Sequence, residues 1–487
     1  MKRFLLLFVL LLINATNIIA SNILTIDDFL KSAQENDPEY KAIFHDTATV
    51  EGLTKSIEAL YDLQLYGSAY LTKQPRTNQN GLGLMKDAQL KGYKFGGRKK
   101  IKETGSLIDI SFNRTDFRGT MQTSFSPSDI SIVNNRPQLS YTIAQPLLRD
   151  FMGKLSRMPL KRLEIQKKIA TLSEKENEEK YFEEQIMLYY DWISLTLAIE
   201  PLKESYLNAQ KLLEQVKSLY KNDAAIKSDL LQSEEAVLMY ENALTETLYN
   251  WNQLGLIIYK KIGKEFFPAT SYNYLPSKPK LYADLCKQNK PEVFTTNRAL
   301  QIIEMLIKQY QVDKNINNQT KLPSLSVFGK ATPFKETNHT TDSVSGLNTV
   351  DTTIGVELQM SFDKSDTKGK DIELDHAILK TIEELSHIDD QLSISHKNLV
   401  LKEKTFIKLS ETKNKIVNLS KERLEIETGR YQKGKTFLRD VSDCRNQYVT
   451  NKINAQNHQI ALIKLRVARA ALNDELSKTV ETLIGEK

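Results

Sequence analysis

Two very long helical patterns constrain what this sequence can fold into. Residues 157–220 and 369–432 carry apolar side chains at helical spacing, with dense charge between them. A helix of this length measures roughly 95 Å, and a narrow apolar stripe along it is stable only against neighbouring helices. Each pattern is followed by a second helical pattern, at 225–264 and at 437–481. The sequence therefore predicts two long helical hairpins.

The hairpins belong to an internal duplication, with a first repeat at 21–264 and a second repeat at 265–487. The two hairpin turns align at a spacing of 211 positions, Tyr220 with Tyr431 and Asp229 with Asp440. The second long helix has no proline at the place of Pro201, so this proline is predicted to kink the first hairpin alone.

The two repeats differ in length ahead of the long helices. Pro38, within Asn36–Glu39, aligns with Pro291, within Asn289–Glu292, at a spacing of 253 positions. Because the turns are only 211 positions apart, the first repeat contains 42 extra residues ahead of its turn. We place them at about 74–116, a segment with several glycines and the basic cluster Arg98, Lys99 and Lys100.

Alternating patterns predict strands ahead of each long helix. From 353 to 362 apolar and polar residues alternate strictly, which is typical of a strand with one apolar and one polar face. Its predicted partner is 324–330, and the polar segment 332–351 between them is interpreted as a loop, within a strand region at about 322–363. The first repeat carries three such segments within about 61–148, at 63–73, 107–115 and 138–147. Four aromatic residues suit either a membrane-interface girdle or a packed core: Tyr66, Tyr70, Phe112 and Tyr141.

The N-terminus has the composition of a secretory signal peptide, predicted at residues 1–20. Lys2 and Arg3 precede an apolar run at 4–13, about half the length of a membrane-spanning helix. No apolar run elsewhere approaches 18 residues, and the mean hydropathy of −0.41 excludes a helical protein with several spans. Alternating membrane strands are not excluded. The net charge of +6 is mild for 487 residues, so nucleic acid is not expected as a partner.

No catalytic or metal-binding pattern is found, so we expect the chain to be no enzyme and to hold no cofactor or metal. The histidines are scattered, and Cys286 and Cys444 are interpreted as inert thiols. Residues 429–436 fit the phosphate-binding pattern G-x-x-x-x-G-K-[ST], but charged helical residues rather than a buried strand precede them. We interpret this match as chance.

The order and duplication of these segments resemble TolC-type outer-membrane efflux proteins. The resemblance is carried by Asn36–Glu39, by the strand end Gln145–Leu148 before a long helix, and by the two turns, above all Tyr431–Asp443. It covers nearly the whole mature chain and implies a mixed α and β membrane protein that forms a homotrimer. Each chain would contribute four strands to a 12-stranded β-barrel, because strand edges are not tolerated in lipid. The barrel would continue into a long periplasmic α-helical barrel.

The resemblance also assigns a periplasmic gate to the second turn. Asp440 and Asp443 match family positions at the tunnel mouth, and a spacing of three places them on one helix face. Three copies would form a ring of carboxylates whose mutual repulsion raises some of their pKa values and attracts cations. The residues alone also fit a solvated first helical turn, where the helix dipole favours acids.

Further predictions concern the residues around both turns. Tyr431 and Asp229 match a family hydrogen bond that helps to hold the tunnel closed, worth about 1.5–3 kcal/mol when shielded. The arginine that the family often has two residues after the turn glycine is Thr436 here, and Arg430 or Arg439 is its candidate substitute. The residues expected to contact an adaptor are Asp223, Gly434 and Lys435.

The function implied by the resemblance is a passive exit duct of a tripartite efflux pump or a type I secretion system. It would lie in the outer membrane, with its helices in the periplasm. Its partners would be outer-membrane lipid, a periplasmic adaptor and an inner-membrane transporter of the RND, ABC or a similar type. The basic cluster would meet either lipopolysaccharide phosphates or solvent. The alternative function is a periplasmic coiled-coil scaffold or adaptor without a channel, which the paired strand segments disfavour.

Overall fold

The structure, a computed structural model, describes residues 24–79, 83–123, 126–263, 297–340 and 344–485. The predicted signal peptide, Cys286 and the Asn289–Glu292 segment lie outside the described residues. The predictions made for them stay predictions.

The described helices, in chain order, are α1 Ile26–Asn36, α2 Pro38–Ile43, α3 Asp46–Glu58, α4 Lys154–Lys221, α5 Lys227–Lys261, α6 Arg298–Thr320, α7 Ser365–Gln432, α8 Leu438–Leu472 and α9 Leu476–Gly485. The long helices α4 and α7 both contain 68 residues, and their return helices α5 and α8 both contain 35. These equal lengths agree with the predicted duplication. No described helix is both long enough and apolar enough to cross a membrane.

Local side chains explain where the N-terminal helices begin. The Thr25 hydroxyl accepts the N–H of Asp28 at 3.2 Å and so caps α1. The Asp37 carboxylate accepts the N–H of Glu39 at 3.0 Å and caps α2. Pro38 occupies the first position of α2, where no backbone N–H is needed.

The long helix α4 continues through Pro201 without a break in its helical assignment. A bend of its axis at this proline stays a prediction. The last predicted helix, in contrast, is divided, which corrects its predicted extent of 437–481. Helix α8 ends at Leu472, and Asp474 adopts a left-handed φ of 58°. The Asp474 carboxylate accepts the backbone N–H of Arg298 at 2.8 Å, a tertiary contact that the local pattern does not contain.

The described strands form one antiparallel sheet in the order β1 to β6. Their bounds are β1 Gln64–Gln79, β2 Gly83–Lys100, β3 Leu107–Thr123, β4 Ser126–Pro146, β5 Ser324–Thr340 and β6 Val344–Gln359. The prediction of four strands per chain is therefore wrong, since the described residues contain six.

The segment 332–351, interpreted as a loop, is also corrected. It continues the β5–β6 hairpin, from the pair Thr332 with Asp351 to the pair Asn338 with Ser345. Main-chain hydrogen bonds hold this part of the hairpin, and its polar side chains gave no alternating signal.

The first repeat contributes four strands and the second repeat contributes two, so the first contains an additional hairpin. Strands β1 and β2 pair over their whole length, from Gln64 with Arg98 to Gln79 with Gly83. The predicted position of the extra residues, 74–116, overlaps this hairpin.

The chain divides into two compact units, and each combines segments from both repeats. One unit, at 46–171 and 302–385, contains the whole sheet. The other comprises the described parts of 1–45, 172–301 and 386–487. In this helical unit the side chains of α1, α4, α5, α8 and α9 form the main core, whose fully buried members include Phe29, Leu30, Phe182, Ile186, Ile193 and Val480.

Two tryptophans lie against this core and join α4 to α5. The rings of Trp192 and Trp251 are stacked with their centroids 5.6 Å apart. The Trp251 indole N–H donates to the Thr196 hydroxyl at 2.8 Å, and the Thr196 hydroxyl donates to the Trp192 carbonyl at 2.9 Å. The polar atoms of Trp251 and Thr196 are thus satisfied inside an apolar environment.

A tightly packed turn leads from β4 into α4. The Asp150 carboxylate accepts the N–H of Ser156 at 2.8 Å and also the Ser156 hydroxyl. Gly153 has a φ of 64°, and a Cβ at this position would lie 2.0 Å from the Lys102 carbonyl oxygen. Only glycine fits there.

The basic cluster at the end of β2 lies beside this turn. Lys100 pairs with Asp150 at 3.1 Å, and Arg98 pairs with Asp109 on β3 at 3.1 Å. Both cations therefore contact carboxylates at the end of the sheet that leads into α4.

Candidate gate and sheet surface

The two hairpin turns share one backbone design. Both α4 and α7 end in a Schellman motif with a left-handed residue after the helix, Asp223 at φ 53° and Gly434 at φ 65°. In each turn the next N–H donates to the carbonyl five positions back, at 2.9 Å. Asp223, Gly434 and Lys435, the expected adaptor contacts, are all exposed.

Each turn also presents an exposed apolar side chain that the sequence interpretation missed. Ile226, directly before α5, is 65% exposed, and Phe437, directly before α8, is 80% exposed. The two residues are 211 positions apart, the same spacing as the turns. Their matching positions in the duplication were the signal available in the sequence.

The structure brings Tyr431, on the last turn of α7, near Asp229, on the first turn of α5. Burial raises the pKa of the Tyr431 phenol, and the negative charge of Asp229 raises it further. No direct hydrogen bond joins the two side chains within the part of the chain that the structure describes. The hydrogen bond between Tyr431 and Asp229 therefore stays a prediction, although the two residues lie near each other.

Asp440 and Asp443 lie in the first two turns of α8. Asp440 is half-buried and accepts the Thr436 hydroxyl at 3.0 Å, whereas Asp443 is exposed. Thr436 thus occupies the place of the family arginine and binds one of the two candidate gate carboxylates itself. Arg430, one candidate substitute for that arginine, pairs with Glu427 at 3.0 Å. The carboxylate ring stays a prediction.

The phosphate-binding pattern at 429–436 lies on the end of α7 and the following turn, and α7 precedes it over its whole length. This placement agrees with the interpretation of the pattern as a chance match. Among the described residues, no group of three histidine, cysteine, aspartate or glutamate side chains could hold a metal ion.

One ionic network joins α1, α2, α4 and α5 in the helical unit. The Lys261 ammonium contacts the Asp37 carboxylate at 2.8 Å and the Glu39 carboxylate at 3.0 Å, and the Tyr181 phenol donates to Asp37 at 2.9 Å. Burial alone would raise the pKa of Asp37, but the hydrogen bonds from Lys261, the Glu39 N–H and Tyr181 outweigh it and lower that pKa.

A second network fixes the C-terminal helix. The Glu179 carboxylate accepts the Leu476 N–H at 2.5 Å and the Ser477 hydroxyl at 2.9 Å, and it also pairs with the Arg298 guanidinium. Asp474 pairs with the same guanidinium at 3.2 Å. These contacts hold the start of α9 against α4.

The sheet has one apolar face that is largely uncovered. Side chains at alternate positions of β1, β2, β3, β4 and β6 point to this face and are between 42% and 85% exposed. These residues, here called the apolar face, are Leu65, Leu71, Tyr93, Phe95, Ile110, Tyr141, Ile143, Ile354, Val356 and Leu358. A continuous apolar patch that crosses a whole sheet marks a surface that meets lipid or another protein.

The opposite face of the sheet is polar and charged. Arg98 pairs there with Asp109, and Arg136 pairs with Asp351 at 3.1 Å. The register places Tyr66 and Tyr70 on this face and Phe112 and Tyr141 on the apolar face. The four aromatic residues therefore do not form one girdle.

Aromatic side chains lie over glycines on this polar face. In each case the ring belongs to the residue directly opposite the glycine, and a Cβ on that glycine would lie within 2.8 Å of the aromatic side chain. The pairs are Tyr66 over Gly96, Tyr70 over Gly92 and Phe328 over Gly355. The glycines supply the space that lets each ring lie against the sheet.

Solved structures of outer-membrane proteins share this fold. The outer membrane protein VceC of Vibrio cholerae aligns with a TM-score of 0.65 and 12% identity, over 92% of this chain and 96% of that chain. The CmeC outer membrane channel of Campylobacter jejuni aligns with a TM-score of 0.65 and 12% identity, over 94% and 88%. The MtrE outer membrane channel of Neisseria gonorrhoeae aligns with a TM-score of 0.60 and 12% identity, over 92% and 89%. No protein-family model and no curated protein matches the sequence.

The chain therefore has the fold of outer-membrane channel proteins. The resemblance to TolC-type outer-membrane efflux proteins is confirmed at the level of the fold. CmeC and MtrE are channels rather than enzymes, in agreement with the prediction that this chain is not an enzyme.

Proposed function

We propose that this chain is the outer-membrane exit duct of a tripartite efflux pump or a type I secretion system. It conducts substrate passively from a periplasmic adaptor and an inner-membrane transporter to the cell exterior. The observation that supports this function is the uncovered apolar face on a sheet in a chain with the fold of outer-membrane channels. In lipid this face is covered, and the polar face of the same strands lines water.

A homotrimer is supported by the surface of α7. Apolar residues on this helix are exposed and recur at a spacing of seven: Ile372 with Leu379, Ile394 with Leu401, and Leu419 with Ile426. Such a spacing is the signature of a helix that packs along another helix. Neighbouring copies of the chain supply the missing helix when the hairpins close into a periplasmic tunnel.

An adaptor is proposed to bind the hairpin turns. Ile226 and Phe437 offer one apolar anchor on each turn, and Lys435 and Asp223 offer charges beside them. Exposed apolar side chains rimmed by polar residues are typical of protein-binding sites. The same end of the molecule carries the proposed gate, which consists of the Asp440 and Asp443 ring and the bond between Tyr431 and Asp229.

The alternative of a periplasmic scaffold is disfavoured by the apolar face. Ile354 is 85% exposed and Leu65 is 80% exposed, and a scaffold would leave both side chains in water. An uncovered apolar face with exposed residues on five strands favours aggregation in water, whereas in a membrane such a face is in contact with lipid.

The test is purification of the mature chain from cell membranes, followed by measurement in planar bilayers. A duct requires detergent, runs as a heat-modifiable trimer and gives discrete conductance steps. A soluble monomer without conductance would support the scaffold instead. Capture of the purified trimer by an adaptor, and loss of capture in Phe437→Ser, tests the turn surface.

A further inference from the structure

The additional hairpin of the first repeat changes the size of the barrel. We propose that all six strands of each copy cross the membrane and that β6 of one copy pairs with β1 of the next. Three copies then close a barrel of 18 strands rather than 12. This inference rests on the proposed function, because it takes the trimer and the membrane location from it.

Strands β1 and β2 carry the same apolar face as β3, β4 and β6. Leu65 and Leu71 on β1 are exposed to 80% and 56%, and Phe95 on β2 to 56%. Through the ladder they are continuous with Ile110 on β3, since Phe95 lies beside Gly97 and Gly97 pairs with Ile110. A hairpin that lay in water would not require apolar side chains at alternate positions.

The polar face of the same hairpin also resembles that of the β5–β6 hairpin. Tyr66 over Gly96 and Tyr70 over Gly92 repeat the arrangement of Phe328 over Gly355 on the β5–β6 hairpin. The additional hairpin is thus built like the barrel strands of the second repeat.

The apolar face runs across the sheet at a slant. From Leu65 the register leads straight across the strands through Gly97, Ile110, Tyr141 and Ala331 to Thr352. On β6 the last residue of the apolar face is Leu358, at the end of the sheet where the apolar face of β1 begins with Leu65. Leu358 lies six residues beyond Thr352, and five steps between neighbouring strands separate β6 from β1.

This slant matches the strand tilt of a membrane barrel. With about 3.4 Å per residue along a strand and about 4.8 Å between neighbouring strands, Leu65 and Leu358 lie at the same depth in the membrane when the strands are tilted by about 40° from the barrel axis. Closed barrels have strand tilts of about 35–45°. Because Leu65 on β1 supplies one end of this slant, the level belt includes the additional hairpin.

The two edge strands of the sheet, β1 and β6, are suited to pair with each other. Within the described residues β1 and β6 each pair on one side only, and each contains 16 residues. Because the number of strands is even and all pairs are antiparallel, β6 of one copy and β1 of the next also meet antiparallel. Unpaired edges are not tolerated in lipid, so this pairing satisfies both edges at once.

A cross-linking experiment tests the pairing directly. The background is Cys286→Ser with Cys444→Ala, which removes both native cysteines. Ile354→Cys on β6 is combined with Leu71→Cys on β1, or with Phe112→Cys on β3, and treated with a short bis-maleimide that tolerates a two-residue slip in register. The proposal predicts covalent dimers and trimers with Leu71→Cys and none with Phe112→Cys, because β3 is flanked by β2 and β4.

Cross-links with Phe112→Cys instead would overturn the proposal, since they require a barrel of four strands per copy. Conducting trimers without either cross-link would also overturn it and leave the proposed function intact. Absence of trimers and of conductance would overturn the proposed function itself.

Deletion of 64–98 provides a second measurement. Gln64 and Arg98 are directly opposite each other, so the deletion can be joined without stretching the chain. Because barrel diameter grows roughly linearly with strand number, the outer mouth should narrow to about two-thirds of its width. Polyethylene glycols of graded size, added on the side of the hairpin tips, should then be excluded at a smaller size. An unchanged exclusion size in a conducting trimer would contradict the proposal.

Discussion

Asp223 and Gly434 occupy the same left-handed position in two Schellman turns 211 residues apart, and only one of them is a glycine. The two turns thus have the same backbone conformation although the residues at this position differ.

This pair predicts opposite responses to substitution. Gly434→Ala should weaken the second turn by about 1 kcal/mol, because a Cβ is disfavoured in the left-handed region although no atom lies near it. Asp223→Gly should change the first turn by less than about 0.5 kcal/mol, since relief of strain offsets the added freedom of the unfolded chain. Hydrogen–deuterium exchange of peptides that cover each turn measures both effects. Equal responses of the two turns would contradict this view.

The Asp37–Lys261 contact predicts a dependence of stability on pH. The pKa of Asp37 is lowered in the folded chain, so its contribution is fully present above the ordinary value of 3.8 and is lost as pH falls through the lowered pKa. Asp37→Asn should lower the free energy of unfolding by about 1.5–3 kcal/mol at neutral pH, with the difference shrinking in acid. Thermal unfolding across a pH series measures it, and Glu51→Gln, in an exposed pair with Lys167, is the control without a measurable change.

The stacked tryptophans predict a graded loss of stability. Trp251→Phe should cost about 1 kcal/mol, because the ring stack persists but the Thr196 hydroxyl loses its donor. Trp251→Ala should cost about 3–5 kcal/mol, because it also leaves a cavity. Since the chain has 2 tryptophans, the fluorescence of Trp192 reports unfolding in both variants. Leu238→Ala, at a side chain that is 64% exposed, should differ from the wild type by less than about 0.5 kcal/mol.

The proposed carboxylate ring predicts a site of cation block. Asp440→Ala combined with Asp443→Ala should relieve block of the channel by multivalent cations added from the side of the turns, because the negative charge that concentrates them is removed. Single-channel recording in planar bilayers is the measurement. Asp366→Ala, at an exposed acid in the first turn of α7, is the control. Unchanged block in the double variant would exclude the ring.

The proposed bond between Tyr431 and Asp229 predicts an effect on opening. Tyr431→Phe should raise the open probability of the channel, because the phenyl ring keeps the packing but donates no hydrogen bond. The matched control is Tyr220→Phe, which makes the same change at the corresponding position of the first turn. An equal effect of both variants, or no effect of Tyr431→Phe, would contradict the proposal that this bond stabilises the closed state.

Helices and their ends could be read from the sequence wherever the signal was local. The 3.6-residue pattern predicted α4 and α7 to within a few residues, and the duplication aligned both turns. The end of α8 could not be predicted, because Asp474 leaves the helix to bind Arg298, a partner 176 positions away.

The strands show the same limit. Alternation was visible at 353–362, where one face is apolar, and absent at 332–351, where polar residues predominate in the sequence and main-chain pairing, from Thr332 with Asp351 to Asn338 with Ser345, forms the strands. In β2 the glycines Gly92 and Gly96 weaken a strand pattern when viewed in sequence, and only the tyrosines opposite them on β1 explain their use. Of the site, the sequence predicted the neighbourhood of Tyr431 and Asp229 and missed Phe437, whose exposure depends on where the turn points.

The even strand count has a consequence for how such proteins diversify. The chain enters and leaves the sheet at one end, so a copy can gain or lose strands only as whole hairpins. In a ring of three identical copies each such event changes the circumference by six strands, so the available bore sizes are discrete. The 68-residue helices α4 and α7 are equal although only one repeat carries the extra hairpin. In the proposed duct, the number of strands and the length of the helices can therefore change independently of each other.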